Sequence, residues 1–113
     1  MRARITFFSA SFLALLGLAI GKYPASASQE SSPKTYHVAI KGFKFEPDRL
    51  EVEVGDTVIW TNEDIVPHLV TAEKFKLKSM DQGESSSLRA KQKGAFPYFC
   101  RFHPTMKAEL VVH

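Results

Sequence analysis

The chain has 113 residues, with 15 basic and 12 acidic side chains, one cysteine and 44% hydrophobic residues. That length fits one domain, and a lone cysteine excludes an internal disulfide. The formal charge of +3 falls to zero once a predicted leader is set aside, because Arg2, Arg4 and Lys22 lie inside it and 12 basic side chains then face 12 acidic ones. A neutral chain gives no electrostatic footprint for nucleic acid.

Arg2 and Arg4 open the chain as a short positive region, and residues 5–20 are apolar except for Thr6, Ser9, Ser11 and Gly17. Ala25-Ser26-Ala27 then closes a small-residue tail of the A-x-A form that signal peptidases cut. The apolar run falls short of the roughly 20 residues that span a bilayer. The reading is a general secretory signal peptide over residues 1–27, giving a mature protein in the periplasm with no membrane attachment. Ala3 separates the two arginines, so the signal is not of the twin-arginine kind. No cysteine stands near the cut to take a lipid.

Residues 28–33 form a flexible polar lead-in, and 34–113 form the folded domain. Across 34–41, Tyr36, Val38 and Ile40 alternate with His37, Ala39 and Lys41, the pattern of a half-buried strand. Residues 42–48 read as a turn-rich connection carrying Phe43 and Phe45. Leu50, Val52 and Val54 alternate with Glu51 and Glu53 as a second strand, and Gly55-Asp56 supplies a tight turn. Residues 57–61 form a third strand with Val58 and Trp60 on one face. Asn62-Glu63-Asp64 opens a loop in which Pro67 precedes His68. Residues 69–71 suit a short strand. Phe75 and Leu77, set among Lys74, Lys76 and Lys78, suit an amphipathic one. A turn at 81–84 leads to a polar edge strand at 85–91, and Lys93-Gly94 turns the chain again. Phe96, Tyr98 and Cys100 share a face of the next strand, and Ala108, Leu110 and Val112 share a face of the last. No stretch of 28–113 keeps helical periodicity. Seven to eight short strands punctuated by Gly and Pro predict an all-β Greek-key sandwich or barrel.

Chemistry concentrates in residues 95–107, AFPYFCRFHPTMK. Cys100, His103 and Met106 recur every third residue there, and His68 lies 32 positions before the cysteine. A thiol, two imidazoles and a thioether are the soft and borderline donors that suit copper, and a His₂Cys set with a weak axial Met is the blue-copper arrangement. Taken singly, each residue has a plainer role. A lone buried cysteine behaves as a small hydrophobe and a lone Met as core filler, and an isolated histidine is most often a surface or capping side chain. Spacing and export together favour a metal. A free thiol outside the cytoplasm also invites oxidation unless something holds its sulfur. Structural zinc takes four Cys or His ligands, so the methionine argues against it. A Cys–His nucleophile lacks a placed Asn or Asp to orient the imidazole and obvious oxyanion donors, so no enzyme is read here. Met80 is a reserve axial ligand, and His37 and His113 carry no spacing signal.

The segments GDTVIWTNED, VPH and GAFPYFCRFHPTMKAELVV resemble the type 1 blue-copper proteins, or cupredoxins, from about Tyr36 to Val112. The two-residue gap between His103 and Met106 looks like the amicyanin end of the amicyanin and plastocyanin-like group. The resemblance implies a Greek-key sandwich with one copper held by His68, Cys100 and His103, and Met106 as the long axial ligand. It implies one-electron transfer between transient redox partners of dehydrogenase, cytochrome or oxidase type, met by a monomer through an apolar patch around His103. Val66, Pro67, Phe102, Pro104 and Thr105 would form that patch. Copper delivery or tolerance is the alternative use of the same ligands. One departure stands out. The family often has Asn directly after the first ligand histidine, bonding across to the cysteine loop, and here that position is Leu69.

Overall fold

Two parallel strands organise the first sheet, and both read directly from alternation. β1 (Thr35–Lys41) turns Val38 and Ile40 inward, and β4 (Thr57–Asn62) turns Val58 and Trp60 inward, all at most 1% exposed. They pair with Thr35 opposite Thr57 and Ile40 opposite Asn62. The computed structural model describes residues 32–113; the predicted leader at 1–27 and most of the lead-in lie outside them. The described residues form eight strands in two sheets and no helix. One sheet has the order β2-β1-β4-β6, with β2 at Lys44–Glu46 and β6 at Ser85–Arg89. The other has the order β3-β8-β7-β5, with β3 at Arg49–Val52, β5 at Thr71–Ala72, β7 at Gly94–Cys100 and β8 at His103–Val112.

The core lies between the inner faces. Trp60 is fully buried, packs edge-on against Tyr98 at 5.6 Å, and donates its indole N–H to the Tyr98 hydroxyl at 3.2 Å. The tyrosine therefore has a partner for its polar tip where water is excluded. Burial raises the Tyr98 phenol to about 12, against the indole hydrogen bond, which lowers it, while the Asp48 carboxylate adds to the rise. Each fully buried large side chain in such a core contributes about 1.5–3 kcal/mol. The inward rows of β7 (Phe96, Tyr98, Cys100) and β8 (Met106, Ala108, Leu110, Val112) continue from this core to the end of the sandwich. Cys100 and Met106 are thus core positions by geometry, at 0% and 4% exposure.

Several expectations need correction. The connection at 42–48 contains a strand, β2, whose Phe45 is 2% exposed. Three residues are too few to show a period. β3 stops at Val52, and Val54 is 46% exposed while its N–H bonds to the His113 carbonyl. The short strand expected at 69–71 lies at Thr71–Ala72 instead. The amphipathic strand around Phe75 and Leu77 does not form as a strand, only as bridges between Thr71 and Lys76 and between His68 and Met80. The Ala72 N–H bonds to the Phe75 carbonyl, closing a turn too tight for a continuous ladder. The last strand begins at His103, because Cys100 pairs with His103 across a two-residue turn. What the spacing suggests as a loop is a hairpin.

Candidate metal centre

Three strand ends converge on one point. β7 ends in Cys100 and β8 begins with His103, so a two-residue turn and a bulge between Phe99 and Cys100 set these two side chains together. β4 ends in Asn62, and the loop that follows returns His68 beneath them. The Cys100 sulfur lies 3.5 Å from His68 Nδ1 and 3.7 Å from His103 Nδ1, and the three donor atoms lie within 4.8 Å of one another. A metal about 2.1 Å from each of three donors in a plane leaves them about 3.6 Å apart. The spacing fits a trigonal site, and its thiolate and imidazoles suit copper. Met106, buried in the same hairpin, is the thioether within this constellation. Met80 is 1% exposed and exchanges backbone hydrogen bonds with His68.

The loop between β4 and His68 is held from inside by Asn62, which is fully buried. Its amide donates to the carbonyls of Val66 and Met80, both at 2.8 Å, and its oxygen accepts from the Asp64 N–H at 2.9 Å. A buried amide that meets three backbone groups replaces water the loop cannot reach. Leu69 stands where an amide was expected, and it is an apolar 7% exposed residue. Asn62 does the loop-bracing work from the other side of the histidine.

Asp64 then orients His68. Its carboxylate accepts the Gly42 N–H at 2.8 Å and the Phe43 N–H at 3.0 Å, and one of its oxygens lies 2.8 Å from His68 Nε2. Burial pushes this carboxyl up, but the Phe43 and Gly42 N–H groups and the His68 ring outweigh it and hold it below the ordinary Asp value. An ionised carboxylate can only accept, so Nε2 carries the proton and Nδ1 presents its lone pair towards the sulfur. That is how a carboxylate selects the tautomer a metal needs. From sequence, 62–64 reads only as a loop opening; the local signal for the carboxylate is the Asn-x-Asp turn four residues before His68.

Phe43 is the second residue missed. It packs edge-on against both imidazoles, at 5.4 Å from His68 and 5.0 Å from His103, while the two imidazoles lie 4.9 Å apart. Of the expected apolar patch, Phe102 is 50% exposed, Pro67, Pro104 and Thr105 are exposed, and Val66 is half-buried. Ile65 in the same loop as His68, 85% exposed, and Phe43, 50% exposed, enlarge it. His103 is half-buried beside them, whereas His68 is fully buried. His37 is exposed on β1, and His113 reaches Glu51 at 3.4 Å, both away from the site.

Comparison with known proteins gives the same architecture. The cupredoxin-like domain family matches residues 11–112. Amicyanin of Paracoccus denitrificans is 31% identical over 93 residues, covering 76% of this chain and 71% of its own. Amicyanin-alpha of Methylorubrum extorquens is 28% identical over 110 residues, covering 91% of each chain. Among solved structures, the Cu(I) form of an amicyanin variant superposes with a TM-score of 0.67 at 33% identity, covering 74% of this chain and 87% of that one.

Proposed function

The chain belongs to the cupredoxin-like family, and from that premise we propose that it holds one copper ion and carries single electrons between redox proteins. His68, Cys100 and His103 are the ligands in this reading, with Met106 as the weak axial one. The observation that carries it is the triangle of two imidazole nitrogens and one sulfur, 3.5 and 3.7 Å apart along its sulfur edges. Bound there, copper supplies a one-electron Cu(I)/Cu(II) couple.

The protein's own residues supply rigidity and access. Cys100 binds as thiolate from the end of a paired strand, and His103 is fixed opposite it in the same hairpin. Donors on paired strands hold their geometry better than donors on a long loop, and a site that changes little between oxidation states exchanges electrons with a small barrier. Half-buried His103 is the exit route. Phe43, Phe102 and Pro104 keep water from its surroundings and offer an apolar contact to a transient partner of dehydrogenase, cytochrome or oxidase type, met by a monomer through a small interface. In this reading residues 1–27 are a cleaved signal and 34–113 the copper domain, working in the periplasm without enzymatic activity. The likeness to amicyanins supports the carrier role. The burial of Met80, the only methionine besides Met106 among the described residues, leaves no surface thioether for handing copper on.

Purified protein given Cu(II) is expected to develop an intense visible sulfur-to-copper charge-transfer band that Cys100→Ser abolishes. Mixing its oxidised and reduced forms is expected to show rapid self-exchange. A colourless product contradicts the copper site, and a coloured one with slow exchange favours delivery or tolerance over electron transport.

A further inference from the structure

We propose that Phe43 is a positioning residue for His103: its ring, fixed by a backbone clamp at Asp64, sets the imidazole in its metal-ready orientation before an ion binds. The inference rests on the copper reading above.

Phe43 has φ +58° and follows Gly42 at φ +59°. Two consecutive left-handed residues aim their N–H groups to one side, forming a cradle for an anion, and here the anion is the Asp64 carboxylate. Glycine adopts that conformation freely, whereas a bulky aromatic residue there is strained. Such strain persists where the surroundings over-determine it, and it gathers at functional sites. The backbone needs nothing from the phenyl ring. Half of that ring lies in water, and the ring contacts it makes are with the two imidazoles.

The two histidines do not depend on it equally. His68 is fully buried and tied through Nε2 to Asp64, so its ring is fixed without help. His103 is half-buried, and among the described residues the Cys100 sulfur is the one hydrogen-bond partner of its ring. Rotation of its ring is opposed by packing, and Phe43 lies edge-on to it at 86°. One carboxylate therefore orients both ligands, His68 by a hydrogen bond and His103 through the residue whose backbone it clamps.

The test compares the full protein with Phe43→Gly and Phe43→Asn, both suited to the left-handed backbone, and with Phe43→Tyr, which restores a ring. In the metal-free protein, NMR is expected to show one sharp set of His103 ring signals. The Gly and Asn variants should broaden or split that set while His68 signals stay unchanged, and Tyr should restore it. Copper affinity, measured by chelator competition, should fall about tenfold in the Gly and Asn variants and recover in Tyr, the scale carried by residues that orient metal ligands. Unchanged His103 signals in folded Gly and Asn variants would overturn the proposal, as would broadening shared equally by His68. Absence of the charge-transfer band in the parent would instead sink the copper reading, since the ring order is read without metal.

Discussion

Asp56 and Asp64 stand just outside the two ends of β4 and do the same thing to different purpose. Each carboxylate accepts the N–H of the residue 22 positions earlier, Lys34 for Asp56 and Gly42 for Asp64. That offset is the register of the parallel pair, in which Thr35 lies opposite Thr57. Each accepts a second backbone N–H, from Glu53 and from Phe43 respectively. At one end the result is a staple that ties the start of β1 to the turn before β4. At the other, the carboxylate has one more acceptor direction, and His68 takes it. The two ends share one clamp, and the difference between them is the one histidine that Asp64 also holds, which belongs to the candidate metal centre.

The largest expected effect comes from removing what holds the second clamp in place. Asn62→Ala leaves the part-buried Val66 carbonyl and Asp64 N–H without their partner and takes from the Met80 carbonyl one of its two hydrogen bonds, the other coming from the His68 N–H. The substitution should cost about 3 kcal/mol in denaturant unfolding. It should also weaken copper binding, because His68 loses its seat.

The middle of the sandwich, away from both clamps, responds to alkali instead. The Tyr98 phenol is raised to about 12 in the fold, against about 10 when unfolded. The stability linked to it is full below pH 10 and is lost as pH rises from about 10 towards 12, a loss of about 2–3 kcal/mol. Tyr98→Phe should abolish that alkaline limb in pH-dependent unfolding without altering the visible band.

Next comes the direct contrast. Asp64→Asn should lower copper affinity about tenfold or more, since an amide no longer enforces the Nδ1 lone pair on His68. Asp56→Asn should leave affinity and spectrum untouched. If both variants perturb the spectrum alike, the distinction between staple and orienting group is void.

The smallest effect concerns acid. The Lys34 and Glu53 N–H groups hold the Asp56 carboxyl below its ordinary value, with Lys34 adding charge. A lowered folded value means that its stabilisation is present above the ordinary Asp range and is lost as pH falls through the folded one. Asp56→Asn should therefore lower Tm near neutral pH and flatten the acid limb of Tm against pH.

How much of this could be read beforehand depended on distance along the chain. Val38, Ile40, Val58, Trp60, Tyr98 and Leu110 declared themselves by period-two alternation, which needs only neighbours. Cys100, His103 and Met106 lie within one hairpin, so their spacing carried the chemistry. Asp64 lies only four residues from His68, but its Gly42 and Phe43 partners are more than twenty away, so the clamp did not show in local spacing. Phe43 had no local signal at all, and it meets His103 because the register of β1 on β4 brings its turn to the same end. β2 was too short to show a period. The lysine-bearing segment around Leu77 showed a period that the turn at Phe75 kept from becoming a strand.

Convergence of two histidine nitrogens and one cysteine sulfur on a single copper ion is measured most directly by X-ray absorption at the copper edge of the loaded protein. The expected first shell holds two nitrogen scatterers and one short sulfur scatterer, and Cys100→Ser removes the sulfur. A shell of nitrogen and oxygen alone in the parent protein, unchanged by Cys100→Ser, would contradict the site.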